Sequence, residues 1–250
     1  MEGGGGGAEE EQVMSEVHLG CPPHFSGLHV SRFSFSSRPL GVSGDDDGDG
    51  SGGSELVAAT SCSFRSDYHL LTIQHGVTSS LKSVGLQVWK AALLLADFVL
   101  HKSFTSSNFD GVTAIEVGAG TGLVGLALAR VARRIFVTVS SVLTKFIYQS
   151  ADRGADILDN CLANVHINSG MLKFDEAKVC VRELDWKMSW PPPVCTYDPS
   201  DPRDAVDRDQ PGLVGKQIDL AEVPQYIREY ERGKDLEIWE IMYSPEQKLQ

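Results

Sequence analysis

Glu116, followed by glycines at 118, 120 and 122, is the part of this chain best suited to chemistry. The run Thr113-Ala-Ile-Glu-Val-Gly-Ala-Gly-Thr-Gly122 reads as an apolar strand that ends on a carboxylate and passes straight into a glycine loop. A helical pattern follows at once, from Leu123 to Ala132. Glycines let the backbone bend sharply and approach a ligand closely. The first turn of the helix then presents unpaired N–H groups. That layout predicts a nucleotide-type pocket.

The spacing selects among ligands. From Gly118 the pattern is G-x-G-x-G, whereas a dinucleotide fingerprint is G-x-G-x-x-G, and position 123 is Leu. Counted from Gly120 the fingerprint formally fits, through Gly122 and Gly125. That register would bury Glu116 and Gly118 inside the strand, where an unpaired carboxylate is costly. The first register leaves Glu116 at the strand's end, placed to bind a cation. S-adenosylmethionine carries an ammonium and a sulfonium and no phosphate, whereas the two phosphates of NAD would be repelled. The motif therefore favours S-adenosylmethionine over NAD, and over a glycine turn that holds no ligand.

These residues need elements to hold them. Gly85 to Leu100 has helical spacing, with Leu86, Trp89, Leu93, Ala96 and Leu100 on one face and Ala92, Leu95 and Val99 widening it. Trp89 is either a core residue or a wall of the cofactor cleft. A strand over 112–117, a helix over about 122–132 and a strand over Ile135–Thr138 make a βαβ unit with a right-handed crossover. Ligands of such sheets bind beyond the carboxyl ends of the strands. The ribose acid of that plan falls about 20 residues after the first glycine. Here that position is Val139, and the first acid is Asp152, after the apolar segment 139–151. Asp152 to Asn168 reads as a helix with Ile157, Cys161, Leu162 and Val165 inward and Asp156 and Asp159 solvated. A third strand, Lys178–Leu184, runs into Asp185-Trp186. A carboxylate beside an aromatic ring there suits an adenine, the acid accepting from the amine and the ring stacking; a helix cap with a surface Trp is the plainer alternative.

Composition bounds the rest. The 250 residues suffice for one domain plus tails. A formal charge of −12 argues against sequence-independent nucleic-acid binding. It leaves room for a basic protein substrate. The five cysteines (21, 62, 161, 180, 195) show no paired spacing and read as reduced thiols with no metal site. An intracellular protein, of nucleus or cytoplasm, is the expectation. No secretory signal and no membrane span are expected. Residues 1–55, with a glycine run and the acidic tract Asp45–Gly53, read as a largely disordered region. Within it, Leu28 to Phe35 alternates and reads as an edge strand or hairpin. Strands are expected over 56–82, and His75 reads as a surface or hydrogen-bonded residue. Residues 56–190 read as the ligand-binding domain, with 139–151 an atypical insertion. Residues 191–250 hold eight of the eleven prolines and 13 acidic against 7 basic residues. They read as an atypical tail with a short helix over 220–230 and one strand over 236–243.

Three motifs, Glu116-Val-Gly-Ala-Gly-Thr-Gly-Leu123, Gly85-Leu-Gln-Val-Trp-Lys-Ala-Ala-Leu-Leu-Leu-Ala-Asp97 and Glu183-Leu-Asp-Trp186, together resemble the seven-strand methyltransferase-like protein lysine methyltransferases. The likeness spans about residues 65–190. It implies a Rossmann-like α/β fold of the class I S-adenosylmethionine-dependent methyltransferases, and methyl transfer to a lysine of a protein partner. It further implies that Glu116, Gly118, Gly120 and Gly122 contact S-adenosylmethionine, that Trp89 lines the site, that Asp152 takes the ribose, and that Asp185 and Trp186 hold the adenine. No catalytic base is assigned. Two departures stand out: the insertion 139–151 ahead of Asp152, and a sheet incomplete at its C-terminal half. The family's acidic-x-x-Tyr motif finds only a poor match at Glu240-Ile-Met-Tyr243. The competing reading is a truncated, catalytically impaired form that only binds cofactor or protein.

Overall fold

The computed structural model describes residues 11–17, 19, 27–41, 68–139, 152–184 and 212–244. Its centre is a parallel three-stranded sheet in the order β5 (Thr113–Val117), β6 (Arg134–Val139), β7 (Val179–Glu183). Side chains alternate across such a sheet, so Ile135, Val137, Val179 and Val181 share one buried face. They join one core with Leu93, Ala96 and Leu100 of α1 (Lys90–Thr105) and Leu123 and Leu126 of α2 (Leu123–Leu128). Ile115 and Val117 point the other way and stay 38% and 43% exposed. Among the described residues β5 has one neighbour, so its outer edge is unpaired. The expected α/β architecture with a parallel sheet is present, and its described part stops at three strands. No described helix is long and apolar enough to cross a membrane.

The N-terminal strands belong to this body. β2 (Leu28–Phe35) pairs antiparallel with β3 (His69–Gly76), and β1 (Gln12–Met14) with β4 (Thr78–Ser80). Phe33 and Phe35 are fully buried. The sequence places 1–55 outside the domain; β2 within it is instead a core strand. Its partner lies some 40 residues further on, so no local turn announces the pairing. His75 is buried, its Nε2 at 2.8 Å from Ser31 Oγ and its Nδ1 at 3.1 Å from the Gly76 carbonyl.

The free edge of β3 is closed by side chains of α3 (Asp152–Leu172). Asn168 Oδ1 accepts from Thr72 N at 2.9 Å and its Nδ2 donates to Thr72 O at 2.7 Å. Asn164 does the same one turn earlier, accepting from Gln74 N at 2.7 Å and donating to Gln74 O at 3.0 Å. Asn160 Nδ2 adds a second bond to Gln74 O at 3.0 Å. Positions 160, 164 and 168 share one helix face, and buried backbone groups require partners. This corrects the helix's inward face. Ile157, Cys161 and Val165 are buried as expected, but Leu162 is 49% exposed and the asparagines take the inward positions.

The C-terminal segment forms a separate antiparallel pair, β8 (Gly212–Ile218) with β9 (Ile238–Ser244). Only a 3-10 turn, Leu220–Glu222, replaces the helix expected over 220–230. Residues 223–232 then form an irregular loop that folds back on itself beside α1, with Arg232 Nη2 donating to Pro224 O at 3.0 Å. Asp97 of α1, wholly buried, accepts from Tyr226 N at 2.8 Å and Ile227 N at 2.9 Å on one oxygen. Its other oxygen accepts from the Tyr230 hydroxyl and from Arg232 Nη2, the latter at 2.8 Å. Glu229 accepts from the backbone N–H and the hydroxyl of Ser34, tying the same stretch to β2. A tail that composition marks as foreign is thus bonded into the fold.

Candidate functional site

A cleft of about 730 Å³ opens between α1, the edge of β5 and the glycine loop. Trp89, Glu116, Gly118 and Gly120 all line it. The loop itself follows from its sequence. β5 ends at Val117, and Gly118, Gly120 and Gly122 take φ of +69°, +56° and +79°. In that left-handed region a Cβ collides with the following carbonyl oxygen. The strand therefore stops where the first register puts it, with Gly118 in the turn.

The three glycines do different jobs. A Cβ added at Gly118 would meet nothing within 4 Å; it would stand in the open cleft. At Gly120 it would meet the Gly85 carbonyl at 3.0 Å, and at Gly122 the Cys161 sulfur at 2.8 Å. Gly122 is the residue preceding α2 and does not line the cleft. Sequence reasoning missed Gly125 as part of the site. A Cβ there would strike Glu116 Oε2 and Val137 Cγ2, both at 2.7 Å. The signal was present in the alternative G-x-G-x-x-G count, whose third glycine serves close helix–strand packing.

Glu116 departs from the sequence expectation of a carboxylate waiting at the strand's end. Its side chain turns under α2, where Oε2 accepts from Gly125 N at 2.8 Å. That single bond does not offset enclosure: burial pushes its pKa from 4.5 up to about 8, against the lowering effect of the Gly125 hydrogen bond. At neutral pH the group is mostly uncharged. It still faces the cleft. A cation arriving there would draw the proton off, so the residues fit a ligand with positive charge.

Trp89 is 38% exposed at the head of α1, with its indole N–H donating to Val84 O at 3.2 Å. It is a wall of the cleft rather than a core residue. Leu95, expected to widen the core face, is instead exposed at the cleft along with Ala91. Asp152 opens α3, and its side chain lies outside the described residues. So do Asp185 and Trp186, beyond the end of β7. Thus Trp89, Glu116, Gly118 and Gly120 are brought together, Gly122 supports from behind, and the adenine and ribose groups fall outside the described structure. Ile157 of α3 lines the cleft too, and a Cβ added at Gly85 would meet its Cδ1 at 3.0 Å.

Comparison with known proteins identifies the family. Residues 66–202 match the model of a family described as lysine methyltransferase. Methyltransferase-like protein 22 of Homo sapiens is 39% identical over 121 residues, 48% of this chain and 26% of the human protein. The Mus musculus protein of the same name is 37% identical over 119 residues, again 48% and 26%. Protein-lysine N-methyltransferase EEF2KMT of Homo sapiens is 30% identical over 110 residues, 44% of this chain and 31% of the relative. The chain thus spans between a quarter and a third of the length of these relatives. The matched stretch contains the cleft, the loop and the parallel sheet, and this chain belongs to the lysine methyltransferase family.

Proposed function

We propose that the cleft binds S-adenosylmethionine and that the chain transfers its methyl group to a lysine of a partner protein. The observation carrying this reading is the open space over Gly118 beside the buried Glu116 carboxyl. When bound, the cofactor supplies an electrophilic methyl on a sulfonium. The chain's own residues do the rest. The loop backbone lets the ligand approach because Gly118 has no side chain there. Glu116 gives up its proton and pairs with the positive end. Trp89 offers a flat apolar wall. Leu95, Phe98 and Ile115, all on the cleft, exclude water. Exclusion of water favours the neutral form of an entering lysine amine, the form able to attack. Positioning supplies most of the remaining acceleration. We assign the ribose to Asp152 and the adenine to Asp185 and Trp186. We further place the chain in the nucleus or cytoplasm.

A second reading has its own support. Among the described residues the edge of β5 is unpaired and Ile115 and Val117 are exposed, which fits a shortened form that binds without turning over. Calorimetric titration of S-adenosylmethionine into the full chain separates the cases. One-to-one heat, abolished by Gly120→Arg, together with methyl transfer to a protein acceptor, supports the enzyme. One-to-one heat without transfer supports the shortened form. A folded chain with no heat at millimolar ligand rejects the enzyme and leaves a form that contacts proteins alone.

A further inference from the structure

We infer that Asn164 is the positioning residue of the glycine loop, the side chain that sets the height of the loop against the sheet. The inference rests on the proposed cofactor cleft and adds a residue to it. Loop 118–122 holds three left-handed glycines and therefore has little conformational preference of its own. Its backbone has few ties. Ala119 N donates to Thr138 O at 2.9 Å, and Gly122 N closes a turn on Ala119 O at 2.9 Å. Among the described residues one side chain bonds the loop, and that is Asn164, whose Nδ2 donates to Thr121 O at 3.1 Å. The same Nδ2 donates to Gln74 O at 3.0 Å while Oδ1 accepts from Gln74 N at 2.7 Å. Asn164 is fully buried, so water cannot substitute for it. One amide therefore joins three pieces distant in sequence: the free edge of β3, helix α3 and the loop. The fork on Gln74 fixes the plane of the amide, and the remaining donor then fixes where the Thr121 carbonyl sits.

The neighbouring Asn168 supplies an internal control. It is equally buried and grips Thr72 with the same fork, and its second donor bond goes to Asn164 O at 2.7 Å, inside the helix, rather than to the loop. Asn164→Asp and Asn168→Asp each turn two donor bonds into repulsions against backbone carbonyls. Both are expected to lower stability by similar amounts. Asn164→Ala and Asn168→Ala remove the same groups without adding charge and serve where the carboxylate variants do not fold.

The test has two arms. In the ligand-free chain, amide hydrogen exchange over residues 119–123 is expected to quicken about tenfold in the Asn164 variants and to stay at the wild-type rate in the Asn168 variants. In titrations with S-adenosylmethionine, affinity is expected to fall about tenfold for Asn164 variants alone. Equal loop exchange in the two sets overturns the inference, whatever the titration gives. Wild-type chain that binds no ligand rejects the cofactor reading while the exchange arm still decides the role of Asn164. Binding that is unchanged in Asn164 variants overturns the positioning role even where the loop loosens.

Discussion

Asp97 and Glu116 are both buried carboxyl groups on elements that line the same cleft, and their surroundings differ. Asp97 receives four hydrogen bonds, one of them from the Arg232 guanidinium. Among the described residues Glu116 receives one, from Gly125 N. The first is a joint of the fold: α1 on one side and residues 223–232 on the other. The second is left short of partners at the site where a charged ligand is expected, and its pKa rises accordingly. Buried acids are thus told apart by their donors. A full set marks structure, and a deficit beside a cleft marks a place for a ligand.

Mutation can break that contrast. Asp97→Ala strands the Arg232 charge and two backbone N–H groups, and about 3–5 kcal/mol of stability is expected to disappear in urea unfolding. Gly122→Ala is expected to cost about 2–4 kcal/mol, from the left-handed backbone and the collision with Cys161. Glu116→Gln is expected to stabilise the ligand-free protein at pH 7, by up to about 3 kcal/mol, because native Glu116 must take up a proton that the unfolded chain has released and a neutral amide need not. If Glu116→Gln proved as damaging as Asp97→Ala, the contrast would be wrong.

Acidity sharpens it further. Between about 4.5, the ordinary value, and about 8, native Glu116 holds a proton that the unfolded chain has released. The ligand-free protein is therefore expected to lose stability as pH rises through that window, by about 1 kcal/mol per unit from this group. Above about 8 the loss should level off. Thermal unfolding of Glu116→Gln beside wild type isolates the effect as the difference of the two profiles. A cationic ligand reverses the preference, because it favours the ionised form. Its affinity should climb by up to tenfold per pH unit below about 8, and calorimetry in buffers of different ionisation heat should register release of up to one proton. The smallest expected effect is Gly118→Ala, about 1 kcal/mol in stability from its φ alone, with a larger loss in ligand affinity because the methyl stands in the cleft.

The sequence made some of this legible and hid the rest for identifiable reasons. β5, the loop, β6 and β7 follow from runs of β-branched residues and glycine punctuation, which are local signals. Glu116 was readable as a special residue, but its direction was not, because the donor at Gly125 lies across a turn whose geometry the letters do not give. The inward asparagines of α3 were not legible, because a polar residue reads as inward only where an open strand edge is known to face it. The anchoring of the tail was illegible for the same kind of reason: Asp97 and Arg232 are 135 positions apart. Composition there advertised prolines and acids, and only the assembled structure shows Tyr226 and Ile227 buried.

That separation has a consequence for how the molecule is born. Helix α1 leaves the ribosome long before the residues that neutralise its buried Asp97. At ordinary elongation speeds the wait is on the order of ten seconds. During it the helix stays undocked, keeps its acid in water or carries it protonated, so full closure of this joint waits on Arg232. A nascent chain halted anywhere before that residue would leave Asp97 without its guanidinium partner, and the joint between α1 and the tail would stay unmade.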